Sequence, residues 1–257
     1  MFEYFRIRIL IKAMWRPVGD RRPETIDQVA AIGLPAVPQL INAMKASPHT
    51  SSAAQEALVK IGRPAVPALI EALRHRNVLI RALAAEVLGE IGDAGAVEAM
   101  LPLLQERTDW VRREAVTALG KLGDPRAGDA LLAMLGDTDL EVREVAAEAL
   151  GRLKHAAAVE PLWRALDDRC ENVQVAAAVA LEQLNATEIL LDALCHGSAD
   201  VRACVAFDLA PEALSAPQRA RAREALLANL ADPDREVRDA AAAALRKLEE
   251  LASSKSP

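Results

Sequence analysis

Apolar positions along the chain follow two nested periods. Within segments they fall at helical spacing, as in Val142, Val145, Ala146, Ala149, Leu150 and Leu153. Between segments they recur as blocks: Ile80-Arg81, Val111-Arg112, Val142-Arg143 and Val173-Gln174 are spaced by 31 residues, Val201-Arg202 follows after 28 and Val237-Arg238 after 36. Eight residues beyond each opening position stands a leucine: Leu88, Leu119, Leu150, Leu181, Leu209 and Leu245. Three of these begin an L-G-x-[IL] run, at Gly89, Gly120 and Gly151.

A second module alternates with the first. Ile32-Gly33-Leu34-Pro35-Ala36-Val37-Pro38 returns as Ile61-Gly62-Arg63-Pro64-Ala65-Val66-Pro67, and each copy runs on into leucines ending near Met44 and Leu73. Weaker copies pass through Met100-Leu101, Leu131-Leu132, Leu162-Trp163, Leu190-Leu191 and Leu226-Leu227. A fixed period of this length is the mark of a repeat architecture. The A-V-P-x-L-I module is termed the A helix and the V-R-x-x-A-A-x-A-L-G module the B helix.

The spacing predicts A helices over 34–45, 63–74, 95–105, 125–136, 156–167, 187–195 and 216–231. B helices are predicted over 48–60, 77–89, 108–121, 139–153, 170–183, 199–210 and 234–251. Residues 2–15 and 23–32 read as a degenerate further pair, although Phe5, Ile7, Ile9 and Ile11 also alternate as a strand would. Asp124-Pro125 supplies an N-cap followed by a proline at the first helical position. Thr138 and Glu141 have capping-box spacing. Gly89, Gly92, Gly120, Gly123 and Gly151 fall where B helices are expected to end, and suit left-handed C-caps. No such pair buries both faces alone, so neighbours stack around one continuous core. The expectation is a single array over 1–257: a capping pair at 1–32, repeats over 33–231, and a C-terminal capping helix with a short disordered tail over 232–257.

Composition agrees and narrows the function classes. The chain is 52% hydrophobic but 3% aromatic, and about a fifth of it is alanine. Alanine and leucine favour helix, and small side chains let helices approach closely. The net charge of -6 argues against nucleic-acid binding, which needs a basic excess. No run of 18 apolar residues occurs, and the apolar N-terminal stretch carries Arg6, Arg8 and Lys12, unlike a secretory signal. Three scattered cysteines imply no disulfide framework, which fits a cytoplasmic protein.

The V-R-x-x-A-x-x-A-L-G blocks and their 31-residue spacing resemble HEAT repeats, specifically the short bacterial kind named after phycobilisome (bilin) lyases. The resemblance runs from about residue 24 to 250. It implies an all-α fold, a right-handed α-solenoid of seven to eight helix pairs, with B helices on the concave face. It also implies that Arg81, Arg112, Arg143, Arg202 and Arg238 are structural, each pairing with an Asp or a carbonyl of the next repeat. Gln174 interrupts that series. Proteins of this family resemble one another as scaffolds, chaperone-like partners, bilin lyase subunits or regulators, and a few are enzymes.

Catalytic chemistry finds little support. The HEAT-like di-iron hydroxylases need repeated His-Glu pairs, and His49, His75, His155 and His196 are each followed by another residue. Cys195-His196 with Cys204 lacks the spacing of a zinc site and reads as a buried Cys195 beside a solvated His196. No G-x-S-x-G motif or phosphate-cradling loop occurs. A lesion-gripping glycosylase would want a basic groove rich in aromatics. No cofactor or metal is expected.

Taking V-R as the register, the residue before Val, the two after Arg and the third beyond them should line the groove. The candidates are Leu79, Leu83, Glu86, Trp110, Arg113, Glu114, Thr117, Glu141, Val145, Glu148, Val175, Val179 and Phe207, with Ala82, Glu144, Ala176, Ala203 and Cys204 at equivalent positions. They form an interrupted apolar stripe with acidic edges, and contiguous exposed apolar surface marks interaction sites. Trp163, in an A helix, reads as core or convex-face packing. The expected function is a non-enzymatic scaffold or adaptor that binds a protein segment along this groove. The alternatives are a bilin lyase-type subunit or chaperone acting on phycobiliprotein chromophores, and a regulatory subunit of a bacterial enzyme complex. Residues 1–16 hold four of the seven aromatics. Their apolar face suits a cap over the first repeat. Their basic-aromatic face suits contact with a partner or an anionic membrane surface.

Overall fold

A computed structural model describes residues 2–14 and 22–254, which form sixteen α-helices joined by short turns, with no strand among the described residues. Contacts divide the chain into two compact units, Met1–Ala130 and Leu131–Pro257.

The first unit opens with α1 (Phe2–Met14) and α2 (Arg22–Ile32). The alternation of Phe5, Ile7, Ile9 and Ile11 is therefore helical. Ile7 is buried while Ile9 is exposed beside Arg6 and Arg8, and α1 lies against α2, α3 (Val37–Ala43) and α4 (Pro48–Ile61). Trp15 and Arg16 lie outside the described residues. Then come α5 (Val66–Ala72), α6 (Val78–Ile91), α7 (Val97–Met100) and α8 (Asp109–Leu122). Helices α2, α4, α6 and α8 stack side by side as a B row, and α3 and α5 form the A row over it. Each A segment opens with a 3₁₀ turn, at Leu34–Ala36, Arg63–Ala65 and Ala94–Ala96. Pro38 and Pro67 then sit in the first turn of α3 and α5, where the missing N–H has no intrahelical partner to lose. The expected helix at 95–105 is instead α7 followed by a 3₁₀ helix, Leu101–Gln105. Pro102 removes the donor that an α-helix needs there, and the tighter winding still buries Leu103 and Leu104. Asp124 caps the 3₁₀ turn Pro125–Ala127 by accepting from the Arg126 amide at 3.0 Å. The Arg126 guanidinium bonds the same carboxylate and holds its pKa at about 2.

Helix α9 (Gly128–Met134) spans the boundary between the units. The second unit continues with α10 (Leu140–Leu153), α11 (Val159–Ala165), α12 (Glu171–Gln183), α13 (Thr187–His196), α14 (Ala199–Asp208), α15 (Ala216–Asn229) and α16 (Arg235–Ser254). Its B row is α10, α12, α14 and α16. The cap of α10 is Asp139, which accepts from the Val142 amide at 3.1 Å, so the expected Thr138–Glu141 box does not form. The five extra residues before α15 become a 3₁₀ turn, Pro211–Ala213, and a cap in which the Gln218 side chain accepts from the Ser215 amide at 2.9 Å.

The five glycines expected as C-caps of B helices divide into two kinds. Gly92 and Gly123 end α6 and α8 in the left-handed conformation, with φ of 73° and 63°. Gly89, Gly120 and Gly151 are buried inside their helices and are not C-caps. A Cβ on Gly89 would lie 2.8 Å from Ala118 Cα, and one on Gly151 would lie 2.8 Å from Ala180 Cα. These two glycines let adjacent B helices touch backbone to backbone. At the end of α10 the left-handed residue is Lys154.

Candidate functional site

The arginine after each B-helix valine is a fastener between turns. Its Nη1 donates to a carbonyl at the A–B turn of its own repeat: Arg81 to His75, Arg112 to Glu106, Arg143 to Asp137 and Arg238 to Asp232, at 2.7–2.9 Å. Arg202 reaches Gly197 O at 2.5 Å. The other arm reaches a carboxylate of the following repeat: Arg81 to Glu106 at 2.9 Å, Arg143 to Asp168 at 2.7 Å and Arg202 to Asp232 at 2.6 Å. The expectation was an Asp or a carbonyl of the neighbouring repeat; the carboxylate does belong to the neighbour, whereas the carbonyl belongs to the arginine's own repeat. Gln174 keeps the carbonyl arm, donating to Asp168 O at 2.6 Å. Each of these carboxylates stands six residues before the register position of the next repeat (Arg112, Gln174 and Arg238), and six residues before Arg202 stands His196, so Gln174 has no carboxylate at that place. The chain thus drops the buried cation where it drops the carboxylate, as desolvation demands.

The B-row face carries the candidate binding residues. In the first unit Leu79, Glu86, Trp110, Arg113, Glu114 and Thr117 are partly exposed. Leu83 is buried at 8% exposure and Ala82 fully, so neither offers contact surface: both turn toward the neighbouring helix. The Trp110 indole donates to Glu114 Oε1 at 3.0 Å, and Arg113 holds the same oxygen at 3.2 Å. The hydrogen bond favours one orientation of the partly exposed indole. Burial pushes the Glu86 carboxyl up from its ordinary value, and Glu114 and Glu90 add to the effect. A carboxyl raised in the folded state binds its proton more tightly there, so its charge works against folding once both states are ionised. Glu86→Gln is expected to raise the thermal midpoint at pH 7. The gain should vanish as pH falls below about 4.5, its ordinary value, in melts followed by circular dichroism.

In the second unit Glu141 is exposed, and Glu144, Val145, Glu148 and Val175 are partly so. Val179 is 37% exposed and Phe207 67%. Glu148 accepts from Arg152 at 2.8 Å. A cleft of 380 Å³ lies over α10 and α12, bordered by Glu144, Glu148, Val175 and Val179. A larger one, 650 Å³, lies over α12, α14 and α16, with Val175, Ala203, Cys204, Phe207, Ala240 and Ala243 in its lining. Glu171, Asp200, Glu236 and Asp239 edge it, with Arg169. The α16 residues were missed in the sequence because that helix reads as a terminal cap. The signal was present: Val237-Arg238 in the same register points to Glu236, Asp239, Ala240 and Ala243.

Other candidate chemistry is dispersed. Cys195 is exposed beside an exposed His196, against the expected buried thiol: it follows the last buried positions of α13, Ala193 and Leu194. Among the described residues no group of three His, Cys, Asp or Glu side chains could hold a metal ion, and no helix is long and apolar enough to cross a membrane. Trp163 is partly exposed on α11 beside buried Leu162.

Paired short and long helices, repeated with a B row inside each unit, define an α-solenoid. The HEAT-repeat family profile matches residues 66–151 and 129–196, and a second HEAT profile matches 223–252. The chain belongs to the HEAT-repeat family. Among solved structures it is similar to the complex of CpcE and CpcF of phycocyanin lyase from Nostoc sp. PCC7120, at 23% identity and a TM-score of 0.50, covering 84% of this chain and 94% of that one. It is also similar to YibA of Escherichia coli, at 16% identity and a TM-score of 0.57, covering 91% and 98%. Both likenesses are of fold. No functionally curated protein matches the sequence.

Proposed function

We propose that the protein is a binding module that holds a segment of a partner protein on the B-helix face of a unit, at Trp110 in the first or at Phe207 in the second. The observation that carries this reading is Phe207. It is the most exposed large apolar side chain among the described residues, on the wall of an open cleft, and nothing in the core requires it there. Aromatic side chains at such positions are the usual energetic anchors of interfaces. Trp110, whose indole donates to Glu114, offers a second anchor with one orientation favoured in advance.

The test is affinity capture from the cells that make the protein, using the wild-type chain and the Trp110→Ala and Phe207→Ala variants. Specific partners should be recovered with wild type and depleted about tenfold or more with one or both variants, at unchanged thermal midpoints. Equal recovery with all three chains refutes the reading. The likeness to a phycocyanin lyase raises a second reading, a bilin lyase subunit or chaperone. That reading requires an absorbance shift when the chain is mixed with free bilin, whereas the binding-module reading predicts none.

A further inference from the structure

We infer that the cleft over α12, α14 and α16 takes a protein segment that sets Lys or Arg side chains beside an apolar anchor. The inference rests on the protein-binding reading and adds the chemistry of the partner. Three features of the cleft converge. Small apolar groups, Ala203, Ala240 and Ala243 with Val175, line its 650 Å³, enough space for an inserted side chain. Phe207 lines it as the exposed aromatic; the Lys247 ammonium lies 5.7 Å from the ring centroid and donates to Phe207 O at 3.1 Å. Its edge is acidic, with Glu171, Asp200, Glu236 and Asp239 against Arg169 among the lining residues, and with Lys247 beside Phe207 outside the lining.

The acidic edge has a local cause. Glu171, Asp200 and Glu236 each stand in the first turn of a B helix, where the helix dipole favours a carboxylate. Repetition of the fold therefore sets three acids in a row. Among the described residues only Asp239 of the four has an ion pair, with Arg235 at 3.3 Å. The partial charge of about half a unit at each helix start offsets part of the row. The lining keeps a formal charge of three negative, within a chain of net charge -6 that draws cationic partners and repels anionic ones. An amphipathic segment with basic flanks satisfies all three features together.

The test is selection of a random-sequence peptide library on the full chain. Enriched peptides should carry net positive charge beside an aromatic or leucine residue. Phe207→Ala should weaken them about tenfold or more. Glu171→Lys with Glu236→Lys should weaken them by a similar factor, and added salt should weaken wild-type binding. The Gln pair at the same two positions serves if charge reversal disturbs the helix starts. Enriched peptides with neutral or acidic composition, or peptides indifferent to these variants, overturn the inference and leave protein binding standing. So does salt-sensitive self-association that the same variants abolish, because the occupant is then a second copy, offering Arg6, Arg8 and Ile9 of α1. Failure to select any peptide, together with captured partners that survive both Trp110→Ala and Phe207→Ala, removes the protein-binding reading as well.

Discussion

Arg143→Met is expected to cost about 3–5 kcal/mol of folding stability, the usual cost of leaving one partner of a buried ion pair uncompensated. The Arg143 side chain is 7% exposed and that of Asp168 is 14%. Nε and Nη2 of Arg143 grip both oxygens of Asp168, at 2.7 and 2.9 Å, and Nη1 donates to Asp137 O at 2.9 Å. Methionine fills much of the volume but orphans the carboxylate and the carbonyl together. Arg143→Gln should cost less, because Gln174 already shows that an amide can serve the carbonyl arm. Acid should narrow the difference. Hydrogen bonds from Arg143 hold the Asp168 carboxyl below its ordinary 3.8, so the pair's contribution is fully present above about pH 4 and is lost as pH falls further. Urea unfolding of wild type and Arg143→Met at pH 7 and at pH 3 measures both effects. A gap at pH 7 well under 1 kcal/mol would mean that the ladder is ornamental.

The second large effect is expected from adding one methyl group. Alanine exceeds glycine in helix propensity by about 1 kcal/mol, so Gly151→Ala in an unpacked helix would stabilise. Here the new Cβ would lie 2.8 Å from Ala180 Cα, 2.9 Å from its Cβ and 2.5 Å from Gln183 Oε1. The glutamine can swing away, but the α12 backbone cannot. Overpacking of this kind costs about 1–3 kcal/mol and here should outweigh the gain in propensity. A lowered thermal midpoint is the expected result, with Gly89→Ala behaving alike against Ala118. Ala180→Gly in the Gly151→Ala background should recover part of the loss, since it reopens the same contact. A raised midpoint in either single variant would show that the helices are free to move apart.

These two sites mark where the sequence could and could not be read. The period and the alternation of helix types were legible, because buried Val111, Val142 and Val173 recur with the turn residues between them. The break at Gln174 was legible too, and the missing carboxylate opposite it could have been found, since the place six residues before Arg202 is His196. The role of Gly89 and Gly151 was not. A glycine near a helix end can serve a left-handed turn or a close approach, and only the neighbouring helix separates the two. Leu83 shows the same limit on the B face, where one step around the helix decides between interior and surface. Pro102 divided an A segment whose apolar spacing alone read as one helix. In the cleft, Phe207 and Val175 came from the V-R register. Its α16 lining was overlooked because a polar last helix looks like a cap, although Ala240 and Ala243 kept the register.

The most direct measurement is hydroxyl-radical footprinting of the chain with and without its captured partner. Phe207 is an exposed, reactive aromatic on a B helix, and Trp163 is a partly exposed one on an A helix. Binding on the B-helix face predicts that oxidation of Phe207 falls several-fold while Trp163 is unchanged. Protection of Trp163 with Phe207 left at its free rate would contradict it.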